Sequence, residues 1–230
     1  MHTGDVVTGN TDSRSEPAPA ASNAAGALIG WATTLSLAYA AVRYHVLGPV
    51  DWKDFPFFIL NKALALDAFI LLTLNFGLGP VNNLTGRVPP RWLSARKTLG
   101  MTGFLLALVH VLMSILLFRP EVYGQFFMDD GTLTLLAGLS MLGGVLAFVV
   151  LWAYNLSFQT FLREDKAFIG LLTSRRFLVW ALLLGGVHVF FMGFQGWMRP
   201  AGWHGGLPPI SLIAFTLFVV GYGANLAGRK

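Results

Sequence analysis

The chain has 230 residues and no cysteine, which excludes disulfides, thiolate metal sites and a cysteine nucleophile. Charge is scarce too: Asp, Glu, Lys and Arg make up 12% of the residues, about half the share of a soluble domain. No glycine-rich phosphate loop follows a strand pattern, and the GxGxxG dinucleotide pattern does not occur. Paired metal carboxylates and nucleophile–base arrangements are also missing.

Apolar side chains are what the sequence has in excess, at 55% of all residues. They gather in long blocks separated by short polar loops, the mark of a polytopic all-α membrane protein whose core is buried by lipid and by helix–helix contacts. Lys and Arg outnumber Asp and Glu by 16 to 11. These cations cluster in loops beside apolar blocks, which fits the positive-inside pattern rather than nucleic-acid binding.

Residues Met1 to Asn23 are rich in Ser, Ala, Pro, Thr and Gly and show no helical period. They read as a disordered tail without the features of a signal peptide. Residues 24–230 then form one transmembrane domain of six spans: Ala24–Leu47, Pro56–Leu78, Thr98–Phe118, Leu133–Tyr154, Phe177–Trp197 and Ile210–Ala227. The connection after span two carries Arg87, Arg91, Arg96 and Lys97, and the one after span four carries Arg163, Lys166, Arg175 and Arg176. Arg229 and Lys230 close the chain. By the positive-inside rule both termini are cytoplasmic, in a plasma or inner membrane. Short connections imply an up-and-down bundle.

Two histidines fall inside the spans, His110 in span three and His188 in span five. Both spans run outward, and each histidine lies about eleven or twelve residues from the inner end, so both imidazoles sit roughly 16–18 Å deep. Two imidazoles at one depth on two helices suit axial ligation of a single haem iron from opposite sides. The alternative is that each hydrogen-bonds a neighbouring helix. Gly185-Gly186 before His188 and Gly103 before His110 would let a flat macrocycle approach closely. Zinc is disfavoured, because no third His or Cys lies at this depth. Two histidine ligands leave no open position on the iron, which favours electron transfer over oxygen binding.

Several segments resemble the membrane domain of the six-transmembrane epithelial antigen of the prostate (STEAP) metalloreductases, within the wider group of ferric-reductase-like proteins. FPFFILNKALALDAFILLTLNFGLG, with its Asn61-Lys62 pair, is similar to the start of that domain. RVPPRWLSARKTLG resembles the family's Pro-Pro-Trp then Arg-Lys-x-Leu-Gly approach to the next helix, and His110 falls at its histidine position. GGVHVFFMGF resembles the second haem-ligand segment, and Leu207-Pro208-Pro209 the opening of the last helix. The resemblance runs from about Phe55 to the C-terminus. It implies one haem b ligated by His110 and His188, with electrons arriving from NADPH through a flavin (FAD) and leaving to Fe(III) or Cu(II) outside. Arg96 and Lys97 match positions near the flavin phosphates. Two departures matter: residues 1–23 are too few for the family's nicotinamide-binding domain, and Ser174-Arg175-Arg176 replaces a Gln-Ser-Thr-like sequence. A separate cytoplasmic flavoprotein or NAD(P)H reductase would then supply the electrons, with a metal chelate as acceptor and a homo-oligomer among the possible assemblies.

Other polar residues carry two readings each. Asp67, near the middle of span two, either backs a histidine ring N–H or bonds Asn75, Thr73 or backbone. Arg43, His45 and Lys62 at the outer ends of spans one and two either meet haem propionates or snorkel to headgroups. His204, with Trp203 and Arg199, lies in an outer loop that would suit anionic metal chelates. Phe148 either bridges a cytoplasmic donor to the haem or packs in the core. The competing functions are a haem-bearing subunit of a larger respiratory or methionine-sulfoxide repair complex, and a haem-free transporter built on Asp67, Lys62 and the histidines.

Overall fold

The structure, a computed structural model, describes residues 19–157, 159 and 165–228. Most of the expected tail, Arg163 and the final Arg229-Lys230 lie outside the described residues. Among the described residues the chain is helical, its nearest approach to a strand being a single bridge between Phe127 and Leu133. Six helical stretches are long and apolar enough to cross a membrane.

The first is α1 (Pro19–Ala41), which continues through a wide turn at Val42–Val46. A short tight turn and a second wide turn (Phe55–Ile59) lead into α2 (Leu60–Thr85) and α3 (Pro90–Leu117). After the small α4 (Pro120–Tyr123) come α5 (Leu135–Leu156), α6 (Lys166–Leu172), α7 (Arg175–Trp197) and α8 (Ile210–Ala227).

The boundaries follow local chemistry. Gly86, at φ 64°, ends α2, a left-handed conformation that glycine adopts without steric cost. Pro90 opens α3, where its missing N–H is no loss. The hydroxyls of Thr134 and Ser174 and the carboxylate of Asp165 cap α5, α7 and α6 by accepting backbone N–H bonds.

Three boundaries correct the sequence reading. α1 takes in residues 19–23, assigned there to the tail. α3 begins at Pro90 rather than Thr98, so Arg91, Arg96 and Lys97 ride on the helix instead of in a loop. α2 runs past Leu78 to Thr85, with Pro80 inside the helix rather than at its end. Pro80 leaves the Phe76 carbonyl without its intrahelical donor, and Asn225 Nδ2 of α8 supplies one at 3.2 Å. Arg96 Nε donates to the neighbouring Asn75 carbonyl at 2.8 Å. In hydrocarbon, such side-chain donors are what make a proline tolerable.

Pairings fix the helix directions. The start of α2 meets the end of α3 at Asn61–Ser114, and the end of α2 meets the start of α3 at Asn75–Arg96, so the two are antiparallel. α7 and α8 pair at Trp197–Ser211 and Gly186–Phe218, also antiparallel. α2 and α8 run the same way, pairing at Thr73–Gly221 and Phe76–Asn225. α2 packs on α1, α3 and α8, and α7 packs on α5 and α8. Apolar clusters fill these seams, one around Ile59, Leu66 and Ile210, another around Phe76, Phe104 and Phe218. Rows of exposed large side chains, such as Leu105, Leu112 and Leu116 on α3 and Leu142, Leu146 and Val149 on α5, face outward. Apolar surface of this extent is that of a lipid-facing protein.

Candidate functional site

α3 and α5 touch only lightly, whereas α3 packs closely on α2 and α5 on α7. The space this leaves is a cavity of about 780 Å³ lined by α2, α3, α5, α7 and the start of α8. Cofactor pockets commonly have volumes of about 300–1,000 Å³. Both His110 and His188 line it.

Each ring is held through Nδ1. His110 Nδ1–H donates to Asn61 Oδ1 at 2.7 Å, with the Ser114 hydroxyl 3.4 Å away. His188 Nδ1–H donates to the Ser140 carbonyl at 2.8 Å. The Ser140 hydroxyl lies 3.1 Å from the same nitrogen and donates to the His188 carbonyl at 2.9 Å. A backbone carbonyl can only accept, so the proton of His188 is on Nδ1 and the lone pair on Nε2. His110 has the same tautomer with Asn61 oriented as it stands, Oδ1 toward the ring and Nδ2 toward Ser114. Among the described residues neither Nε2 has a hydrogen-bond partner. A histidine that donates from one ring nitrogen to an oxygen and keeps a lone pair on the other is arranged as a metal ligand.

The space for the His188 ring is made by α5. A Cβ on Gly144 would lie 2.7 Å from His188 Nδ1, and one on Gly143 would lie 3.0 Å from the His188 backbone nitrogen. Ser140, Gly143 and Gly144 share one helix face, being three and four residues apart. Of the glycines singled out in the sequence, Gly185 lines the cavity beside Phe69. Gly186 instead makes room for the Phe218 ring, and Gly103 lets α3 close on Leu71 and Leu72 of α2.

Arg43 and Lys62 join the histidines in lining the cavity. Arg43 is only 4% exposed, and its Nε and Nη1 have no hydrogen-bond partner. Its guanidinium lies 5.1 Å from the Tyr44 ring centre. The Lys62 ammonium faces three rings, Phe58 at 4.5 Å, Tyr44 at 5.1 Å and Tyr123 at 5.3 Å. Among the described residues neither cation has an acidic partner. Cation–π contact offsets about 0.5–2 kcal/mol per pair, less than the several kcal/mol that an unpaired buried charge costs. The two cations could therefore hold an anion.

The other residues marked in the sequence lie elsewhere. Arg96 is committed to the Asn75 carbonyl and packs over Gly79. Lys97 lines a separate pocket of about 270 Å³ with Phe104, Asn155 and Gln159. Phe148 lines the main cavity and stacks on Phe104 at 5.8 Å, so this ring pair stands between the two spaces. His45 bonds the Val50 carbonyl at 2.7 Å and packs on Trp52, away from the cavity. His204 sits in the α7–α8 connection and does not line it.

Asp67 corrects both of its readings. It backs neither histidine and bonds neither Asn75 nor Thr73; Oδ2 accepts from the Thr33 hydroxyl of α1 at 2.6 Å, and Oδ1 has no partner. The reason is angular. Asp67 lies six residues from Asn61, about 120° around α2, on the face turned to α1.

Asn61 and Ser140 were not assigned to the histidines from sequence. The available signals were an amide one turn inside an apolar run, and the Ser-x-x-Gly-Gly spacing of small residues that lets membrane helices approach. No protein-family model matches the chain, and no curated protein matches it.

Proposed function

We propose that the protein is a transmembrane b-type cytochrome. It takes electrons from a cytoplasmic flavin or flavoprotein and delivers them to an acceptor on the outer face, with Fe(III) or Cu(II) as the acceptor class. The observation that carries this reading is the histidine pair: two imidazoles on different helices line one cavity, each with Nδ1 bonded to an oxygen.

The lining fits haem b on three counts. The volume suffices. The only polar side chain in the half near Phe76, Phe148 and Leu151 is Thr73, whereas the half near Asn61 carries Arg43, Lys62, Ser114, Gln125 and Gln195. That polarity matches a macrocycle with an apolar body and one carboxylate edge. Two cations lacking an acidic partner supply the charge that two propionates would neutralise. His110 and His188 would hold the iron, and Arg43 and Lys62 the propionates. When bound, haem supplies a one-electron couple whose potential is set by its axial ligands, their hydrogen bonds and burial.

The chain's own residues do the rest. Asn61 and Ser140 keep each ring in the ligating tautomer and direct its plane. The cavity lining is largely apolar, which suits outer-sphere transfer rather than substrate coordination. Phe148 and Phe104 close the end nearer Lys97, on the side that the positive-inside rule makes cytoplasmic, with both termini. The STEAP-like run of segments from Phe55 onward supports the same assignment.

One observation favours a second reading, a haem-bearing subunit within a larger respiratory or methionine-sulfoxide repair complex. Arg96 is used at the Pro80 bend, so one of the two cations expected near flavin phosphates is already engaged. A flavin would then belong to a partner, and a stable flavoprotein in the purified complex would decide for it.

The direct test is spectroscopic. Protein purified after haem-supplemented expression should show a Soret band and, on dithionite reduction, the sharp α-band of low-spin haem b. Reduced protein in vesicles should be reoxidised by external ferric chelate. No Soret band removes the cytochrome reading, and failure of reoxidation alone removes the metal acceptor.

A further inference from the structure

The helices around the cavity form a ring with one loose seam. α3 packs closely on α2, α2 on α8, α8 on α7 and α7 on α5, while α5 and α3 touch only lightly. Among the described residues no other helix packs closely on both. The seam has a definite frame. At its inner end the Phe104 and Phe148 rings stack at 5.8 Å. At its outer end the connection from Phe118 to Thr134 crosses between the two helices, and its Phe118 and Phe126 rings stack at 6.0 Å. From Phe104 to Phe118 is fourteen residues, a rise of about 21 Å along α3.

Both edges of this frame are apolar. α3 contributes Ala107, Val111 and Ile115, each about one turn above the last, and α5 contributes Met141 and Val145. All five line the cavity, yet Ile115 is 69% exposed and Val145 57%. Side chains that belong to a cavity wall and stand this open border its mouth. In a chain whose helices cross a membrane, a mouth halfway along two spans opens to lipid and not to water. The charged end of the cavity adjoins the outer side of the frame. Arg43 and Lys62 line it, and the Lys62 ammonium lies over the Tyr123 ring of the same connection.

These features match haem as a solute of the bilayer. Its macrocycle is flat and apolar and favours hydrocarbon. Its two carboxylates stay at headgroup level, as the polar tips of amphipathic side chains do. Haem lying so meets the seam with its apolar body toward Val111, Ile115 and Val145 and its carboxylate edge on the side of Arg43 and Lys62. A route from the outer water would instead lead the apolar body past the polar end of the cavity first. On the haem reading above, we infer that the α3–α5 seam is the route by which the protein takes up its haem, sideways from the bilayer, with Arg43 and Lys62 receiving the carboxylate edge.

The chain has no cysteine, so a pair placed across the seam supplies its only thiols. Val111 and Met141 each lie seven residues outward of the Phe104–Phe148 pair, at one height on opposite edges. Full-length V111C/M141C, purified without haem, is bridged with a bis-maleimide that contains a cleavable disulfide. Uptake from haem-loaded vesicles is followed by growth of the Soret band. The bridged protein should take up haem at least about tenfold more slowly than the same sample after reductive cleavage, as a locked gate requires. Cleavage leaves both arms attached, so the difference reports the bridge rather than added bulk. Equal rates before and after cleavage overturn the inference. Should the haem-free variant not be stable, the pair is bridged after loading. Loss of haem to excess apomyoglobin should then slow by a similar factor, and an unchanged loss overturns the inference. Wild-type protein without a Soret band removes the haem reading itself, whereas normal binding at bridge-independent rates removes only the route.

Discussion

The two histidines face one cavity but are held in different ways. His188 leans on backbone: the Ser140 carbonyl accepts its Nδ1 proton, and the missing side chains of Gly143 and Gly144 shape its seat. His110 leans on side chains, the Asn61 amide and the Ser114 hydroxyl. A backbone carbonyl survives any substitution, while an amide can be exchanged residue by residue. One histidine is thus set by helix packing and the other by a replaceable polar network, so on the proposed haem reading the His110 side is the place where potential is adjusted.

The largest effect should come from the ligands themselves. His110→Ala and His188→Ala should each abolish the low-spin spectrum of the reduced protein, because one imidazole cannot give six-coordinate low-spin iron. If either variant kept the wild-type bands, the symmetry of the pair would be broken and another ligand required. Next in size is Gly144→Val. Its Cβ would stand 2.7 Å from His188 Nδ1 and 3.1 Å from Cε1, so the ring must move. Haem affinity in a titration of apoprotein should fall about 10–100-fold, the range typical when a ligand's support is lost. Gly138→Ala is the control on the same helix, with nothing within 4 Å of the added carbon.

A sharper comparison sets Asn61→Ala against Ser140→Ala. Loss of Asn61 leaves His110 Nδ1 only the Ser114 hydroxyl at 3.4 Å. Loss of the Ser140 hydroxyl leaves the 2.8 Å bond to its carbonyl intact. The midpoint potential should therefore rise clearly in the first and barely in the second. Equal shifts would erase the distinction between a side-chain and a backbone clamp.

Much of this was legible in the sequence, but only where it depends on distance along one helix. Apolar run length marked six crossings, and the places of His110 and His188 within their runs gave a common depth. Gly86, Pro90 and Ser174 end or open helices through local chemistry, yet the spans read from sequence stopped at Leu78 and began at Thr98 and Phe177, because apolar run length marks the apolar stretch rather than the helix end. What depends on the rotation of one helix against another was not readable. Asn61 meets His110, and Ser140 meets His188, because of how α2 and α5 turn toward their neighbours. Arg96 looked like a free cation at a membrane face. Its use at the Asn75 carbonyl depends on how α3 is rotated against α2.

The smallest expected effect on the site belongs to Asp67, and it tests that same limit. Asp67 is 1% exposed and stands at the α1–α2 seam, where the Thr33 hydroxyl donates to Oδ2. Neither histidine reaches it. Asp67→Asn conserves shape and, with the amide oxygen turned to Thr33, conserves that bond. At the second position it exchanges a carboxyl oxygen without a partner for an amide NH2 in the same place, so one unsatisfied buried group stands in for another. The variant should thus leave the spectrum and the midpoint potential at wild-type values, while the thermal midpoint in detergent stays level or falls slightly. A displaced potential would mean that Asp67 communicates with a ligand through α2 after all. The face of the helix would then be a poor guide to which polar groups govern the pair.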